Sequence, residues 1–337
     1  MTARSAASRQ FSVPGLTLRP YLDSDIAEIA RIGNAESEAD GISERVSEEG
    51  ERAWYGTPSE QFDAARDVVM AELEGRVVGF AGQDWVDNRD GELRDHRFWG
   101  CVDPEYRGRG IGTVLLADNE RRARLMAATH DTQRGRSFVG FAALGRPATR
   151  VLEAAGYEIN RYFFDMVRTS MEGLADVALP DGLELRPVTR DHYVTMWRAN
   201  REAFRDHWGG GDESEAAMQR FYDQPDSDPS LWLIAWDGDE IAGGVINGIS
   251  PAENEALGVQ RGWLHSVFTR RAWRRRGLAR ALIAKSLIIL RERGMTSAAL
   301  GVDADNAMGA LGLYEEAGFA IHDRFIAYRK AMAEAEQ

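Results

Sequence analysis

Hydrophobic and polar positions run through one order of patterns and then run through it again. Leu16-Thr17-Leu18-Arg19 alternates as a strand does and stops at Pro20. Ile26, Ile29, Ala30 and Ile32 then recur at helical spacing. Two strand-like runs, 68–73 and 77–81, flank Glu74-Gly75-Arg76 and predict a β-hairpin. A strand over 98–102 ends at Asp103-Pro104, and a glycine-rich turn leads into a helix through about Thr129. A strand over 137–142, a helix to Ala155 stopped by Gly156, and a strand over 162–167 complete the set.

The second half repeats this. Strand 183–186 precedes a helix over 192–204, and strands 231–236 and 240–247 flank the turn Asp237-Gly238-Asp239. Strand 263–269 leads to another glycine turn, after which Ala279, Leu282, Ile283, Ser286, Leu287 and Leu290 mark one helix face. Strand 298–302, a helix over 308–317 stopped by Gly318, and strand 324–328 follow.

Landmarks confirm a duplication. Arg107-Gly108-Arg109-Gly110-Ile111-Gly112 is answered by Arg274-Arg275-Arg276-Gly277-Leu278-Ala279, with 277 − 110 = 167. Leu18-Arg19-Pro20 is answered by Leu185-Arg186-Pro187, and 186 − 19 = 167. Gly156-Tyr157 matches Gly318-Phe319 at 318 − 156 = 162. A period this long makes two whole domains rather than a solenoid, whose repeat is roughly 20–50 residues. The expected layout is a disordered tail over 1–12, one domain over 13–170, a linker over 171–181 and a second domain over 182–333.

Composition narrows the class. A chain of 337 residues suffices for two ordinary domains. The net charge of −13 is shared by both halves, so neither is a basic module and nucleic acid is not expected as a partner. One cysteine, Cys101, excludes an intrachain disulfide framework. No apolar run approaches the ~18 residues of a membrane span. The expectation is a cytoplasmic protein, monomeric or homodimeric, with no membrane partner and no metal.

A strand, a glycine turn and a helix start together make an anion site, because glycine lets backbone N–H groups approach and the helix N-terminus adds positive partial charge. A Walker loop would need Lys-Ser/Thr, which is absent. A dinucleotide fingerprint would need G-x-G-x-x-G; the third glycine of the first copy is misplaced, and the second copy has one glycine. Both copies read R-x-x-G-x-(G/A). With Asn306 and Leu313-Tyr314-Glu315-Glu316-Ala317-Gly318-Phe319 near the end, the chain resembles the GNAT superfamily of acyl-CoA-dependent N-acyltransferases over almost its whole length. The resemblance implies an α/β fold of two tandem GNAT domains. Each would be a mixed, mostly antiparallel sheet with helices on both faces and a splayed central strand pair. It also implies acetyl-CoA as cofactor, held by Arg274, Arg275, Arg276, Gly277, Leu278 and Ala279, with Val267, Phe268 and Thr269 lending backbone groups. In the first half Arg107, Gly108, Arg109, Gly110, Ile111 and Gly112 would form the matching loop, and the backbone of 100–102 the matching strand.

The halves differ where chemistry is expected. By resemblance Tyr314 sits where the superfamily places its general acid; a packed helical tyrosine is the competing reading. Aligning the Gly-aromatic pairs puts Leu152 opposite Tyr314, and leucine donates no proton. Asn306 either bonds the cofactor or caps a helix. Many members carry a Glu fourteen places before the loop glycine, but 277 − 14 = 263 is Trp263. Two residues on, His265 resembles the strand histidines of the arylalkylamine N-acetyltransferases and suits a base; a satisfied core histidine competes. The first-half counterpart of Trp263, His96, is expected at a surface or strand edge. Asp206, His207 and Trp208, followed by three glycines, are expected over the acceptor pocket; a packed tryptophan on a loop is the alternative.

The expected activity is transfer of an acetyl group from acetyl-CoA to the amine of a small molecule, by direct transfer in a ternary complex in the second half. A duplicated layout with one silent half resembles the mycothiol synthases within that superfamily, although Trp263 keeps their substrate from being carried over. Two other classes compete: an acyl-CoA-binding or sensing protein, and a protein-lysine acetyltransferase.

Overall fold

The computed structural model describes residues 12–89, 91–305 and 309–333. Asn306 and all but the last residue of the expected tail lie outside them. The first half runs β1 (Leu16–Pro20), α1 (Ile26–Asp40), α2 (Glu48–Tyr55), α3 (Ala64–Asp67), β2 (Val68–Leu73), β3 (Arg76–Asp87), β4 (Leu93–Val102), α4 (Ile111–Thr129), β5 (Gly135–Ala143), α5 (Pro147–Ala154) and β6 (Glu158–Arg168). The second runs β7 (Glu184–Leu185), α6 (Tyr193–Ala203), α7 (Glu215–Tyr222), β8 (Leu233–Asp237), β9 (Glu240–Gly248), α8 (Pro251–Leu257), β10 (Arg261–Thr269), α9 (Leu278–Glu292), β11 (Ser297–Asp303), α10 (Ala310–Glu316) and β12 (Ala320–Ala331).

Local chemistry explains most of these elements. Glu74 and Gly75 both take positive φ, as a tight two-residue turn joining β2 and β3 requires. Leu278, Leu282, Ile283, Leu287 and Leu290 bury one stripe of α9 against Leu264, Ala298 and Leu300 of the sheet. Each such side chain contributes about 1.5–3 kcal/mol on burial. The opposite sheet face carries Ile234, Trp236, Ile246 and Phe268, covered by Met196 and Trp197 of α6. The first half repeats this sandwich: α1 covers Val68, Met70 and Phe80, and α4 covers Ala71, Val78 and Ala81.

The sheet departs from the expectation of two separate sheets. Among the described residues all twelve strands form one, in the order β1-β2-β3-β4-β5-β12-β6-β11-β10-β9-β8-β7. The last strand of each half is exchanged. β6 pairs with β11 of the second half, and β12 pairs with β5 of the first. Arg161 of β6 holds Asp303 of β11 at 2.7 Å, and Arg329 of β12 holds Asp95 of β4 at the same distance. Each half thus completes the other's sheet edge, an efficient way to leave neither edge bare.

Candidate functional site

The second half opens where its parallel strands part. β10 pairs with β11 only from Arg261 to Trp263. On its other side β10 slips against β9 between Leu264 and Ser266, leaving His265 as an extra, bulged residue. The bulge turns the imidazole out over Gly248, where a Cβ would lie 2.4 Å from His265 Nε2. A side chain there would push the imidazole aside. The His265 ring lies parallel to that of Trp263, at an interplanar angle of 3°. Trp263 Nε1 donates to Glu253 of α8 at 2.9 Å. The place of the expected carboxylate is therefore filled by an indole that carries a carboxylate one step behind it.

A cavity of about 1040 Å³ occupies the splay, walled by His265, Val267, Thr269, Gly277, Leu278, Ala279, Leu313 and Tyr314. Phe268 points the other way, into the core beneath α6, so its share in this cavity is its backbone. Gly277 caps α9 at φ +84°, and a Cβ there would meet nothing within 4 Å. The first N–H groups of the fifteen-residue helix have no partners within it and face this opening, which fits a pyrophosphate.

The arginines behave differently from expectation. Arg274 is spent on the protein itself: it donates to the carbonyls of Thr269 and Ala203 and to Asp206. It fixes the loop to the end of α6 and leaves the anion to the backbone. Arg276 lies exposed beside the Asp181 carbonyl. Arg275 lines the cavity and holds φ +61°, a left-handed conformation costly for a side-chain-bearing residue. Its counterpart Gly108 (275 − 167 = 108) takes φ +76° without that cost.

Tyr314 is 7 % exposed, edge-on to Phe319, and burial pushes its phenol up to about 12. Among the described residues its hydroxyl has no protein partner, and it borders the cavity. The group holds its proton and can give it to a strongly basic thiolate formed in the same desolvated space. His265 is exposed to the cleft, and the protein packed around that cleft lowers its pKa, so at neutral pH it is an uncharged acceptor.

A second cavity, about 980 Å³, lies between the halves and shares His265 with the first. Its walls include Glu44, Glu51 and Trp54 from the first half and Arg201, Glu253 and Trp263 from the second. Apart from Trp263, sequence reading missed these. Glu44 and Glu51 look like an ordinary solvated acidic stretch, and only the strand exchange carries that stretch across to the other half. The residues expected over the acceptor are placed otherwise. Asp206 ties Arg271 and Arg274, Trp208 packs on Phe163 of β6 and under Arg329, and His207 lines the cofactor cavity beside Phe204. The loop is pinned rather than free: Gly210 bridges Asn88, and Arg89 N–H donates to the Gly209 carbonyl.

The first half keeps the scaffold of this site but carries neither a histidine nor a tyrosine at the matching places. β4 pairs with β3 in unbroken register, with no bulge, and stays with β5 as far as Phe98. Phe98 stands at the place of His265 (265 − 167 = 98). Leu152 stands at that of Tyr314 and packs against Gly140. The cavity is about 310 Å³ and mostly apolar. Gly110 caps α4 at φ +87° as Gly277 caps α9. Arg107 is bound by Asp40 and Glu36, and Arg109 lies over Tyr106. His96 is a correction: it is 1 % exposed on an interior strand, both ring nitrogens without partners among the described residues, stacked on His130. Cys101 lines this cavity, its thiol pushed up by burial and Glu36. Among the described residues no helix is long and apolar enough to cross a membrane.

Comparisons with known proteins agree with this geometry. The Acetyltransferase (GNAT) family matches residues 194–319, and the Acetyltransferase (GNAT) domain matches 64–158. A mycothiol acetyltransferase of Nocardia farcinica is 30 % identical over 318 residues, covering 91 % of this chain and 95 % of its own. Among solved structures, a GCN5-related N-acetyltransferase from Sphaerobacter thermophilus superposes with TM-score 0.70 at 25 % identity, over 96 % of this chain and 98 % of its own. A tandem GNAT protein from the clavulanic acid biosynthesis pathway shares the fold, with TM-score 0.67 at 16 % identity, over 95 % of this chain and 100 % of its own.

Proposed function

Because this chain belongs to the GNAT acetyltransferase family, as a tandem member and an acyl-CoA-dependent N-acetyltransferase, we propose that its second half moves an acetyl group from acetyl-CoA to the primary amine of a small molecule. The observation that carries this reading is the meeting of two cavities at one bulged histidine, with a protonated phenol on the cofactor side. Acetyl-CoA supplies an activated acyl group whose leaving atom is a thiolate. Backbone N–H groups at the start of α9, with Gly277 open before them, hold its pyrophosphate. The exposed backbone of β10 beyond the bulge holds its pantetheine arm. His265 takes the proton of the incoming amine, and Tyr314 returns one to the departing sulfur. Both substrates are present together, so transfer is direct. Small acceptors are favoured because the second cavity is walled by both halves rather than open to a protein surface. Dependence on acetyl-CoA places the proposed work in the cytoplasm. The mycothiol-type acceptor of the relatives belongs in the amine panel. Glu253 behind Trp263, rather than a carboxylate at 263, is reason to test other amines beside it.

The test is free-thiol release from acetyl-CoA with a panel of amines. Tyr314→Phe keeps the ring and removes the hydroxyl. It is expected to lower kcat by about ten- to a thousandfold with acetyl-CoA affinity unchanged. Wild-type turnover in this variant would reduce Tyr314 to a packing residue, and no thiol release with any amine would leave a binding protein.

A further inference from the structure

Strand exchange carries a piece of the first half into the second half's site. β6 brings Phe163, Phe164 and Asp165 to the wall of the cofactor cavity that also holds His265 and Tyr314. The two phenylalanines are apolar wall. Asp165 is not. In register it faces Gly301 of β11, whose missing side chain offers the carboxylate no donor. Two pairs along the same strands, Asp303 is neutralised by Arg161 at 2.7 Å. Asp165 has no such partner: among the described residues it accepts no hydrogen bond and forms no ion pair.

Its surroundings make that costly. Glu44, Asp323 and Glu253 add negative potential, and Arg261 is the cation that opposes them. Burial and these neighbours push the Asp165 carboxyl up to about 7. Arg261 does not reach it, and among the described residues its own buried Nε and Nη1 have no partners. A half-buried carboxylate that the protein leaves without donors keeps its oxygens open to a ligand that supplies them. Asp165 lines the cofactor cavity, which meets the acceptor cavity at His265, and at that junction an amine must meet a thioester.

Resting on the acetyltransferase reading above, we propose that Asp165 binds the acceptor's ammonium group, so that the half without proton-transfer residues supplies a specificity determinant to the other half's site. Asp165 positions the amine; His265 and Tyr314 move protons.

The experiment uses the full chain and Asp165→Asn. KM for the amine is expected to rise about tenfold or more while kcat changes less than about threefold, with acetyl-CoA affinity by calorimetry unchanged. Tm is expected to stay level or rise, because a carboxylate repelled by Asp323 and Glu44 is gone. Asp165→Glu keeps the charge and should recover part of the amine affinity. Thermal-shift titration with the same primary amines reads binding without turnover: wild type is stabilised and Asp165→Asn is not. Equal stabilisation of both proteins, or of neither, overturns the proposal. So does an amine KM within twofold of wild type, or a fall in Tm with no recovery by Glu. Amine binding that depends on Asp165 without thiol release would leave this inference standing and sink the acetyltransferase reading instead.

Discussion

His96 and Trp263 hold one position in two copies, and the difference between them is a difference in solvent. Trp263 looks into an open cleft. His96 is buried on β4, where desolvation, then His130 and Arg94, pushes its pKa down to about 3. The unfolded chain takes up a proton near the usual histidine value of about 6.5, and the folded chain does not until about 3. The unfolded state therefore binds more protons across that window, and stability falls as pH drops through it, by at most about 1.4 kcal/mol per unit. His96→Leu removes the titration. Comparing melts at pH 7.5 and pH 5 cancels any packing change: the variant should lose less Tm on acidification than wild type. An equal loss in both would mean that His96 is protonated in the fold.

At the scale of elements, the two glycine turns are built alike and loaded differently. Each lead arginine, Arg107 or Arg274, anchors its loop to the end of the preceding long helix. The anion is left to backbone N–H groups. Arg275 carries strain that Gly108 does not. Arg275→Gly should relieve about 1 kcal/mol of left-handed strain, partly offset by the freer unfolded chain. Differential scanning calorimetry should show Tm level or slightly raised. Acetyl-CoA affinity should fall no more than about tenfold, through loss of a guanidinium on the cavity rim. A large drop in Tm would show that the arginine side chain shapes the loop. The turns, the hairpin at Glu74-Gly75 and the apolar stripe of α9 were legible in the sequence because each is fixed by residues a few positions apart. Tyr314 was singled out by its likeness to the family's closing signature and His265 by its distance from the loop glycine, and the structure sets both on the wall of one cavity. Short helices such as α2, α7 and α8 were not, because their few apolar residues make no run long enough to show a period. Glu253 went unread with α8, since its role depends on a bond to Trp263 ten residues away.

For the whole molecule, the decisive feature is the crossing of β6 and β12. Alternating polar and apolar residues identify both as strands but say nothing about which neighbour each will take. Strand partners more than a hundred residues apart are chosen by tertiary packing. The exchange joins both halves in one sheet, brings Glu44 and Glu51 over the second half's cleft, and sets Asp165 in its wall. On the proposed reading one half supplies walls and the other supplies proton transfer. Gly110→Asp and Gly277→Asp test this division most directly. Each puts a carboxylate at an equivalent helix start, in a left-handed conformation that aspartate tolerates better than most residues. Turnover and moles of CoA bound are to be measured for both, beside wild type. The asymmetric site predicts that Gly277→Asp abolishes turnover and the associated CoA binding, while Gly110→Asp stays within a few-fold of wild-type activity. Loss of turnover in Gly110→Asp with activity surviving in Gly277→Asp would contradict it and place the chemistry in the first half.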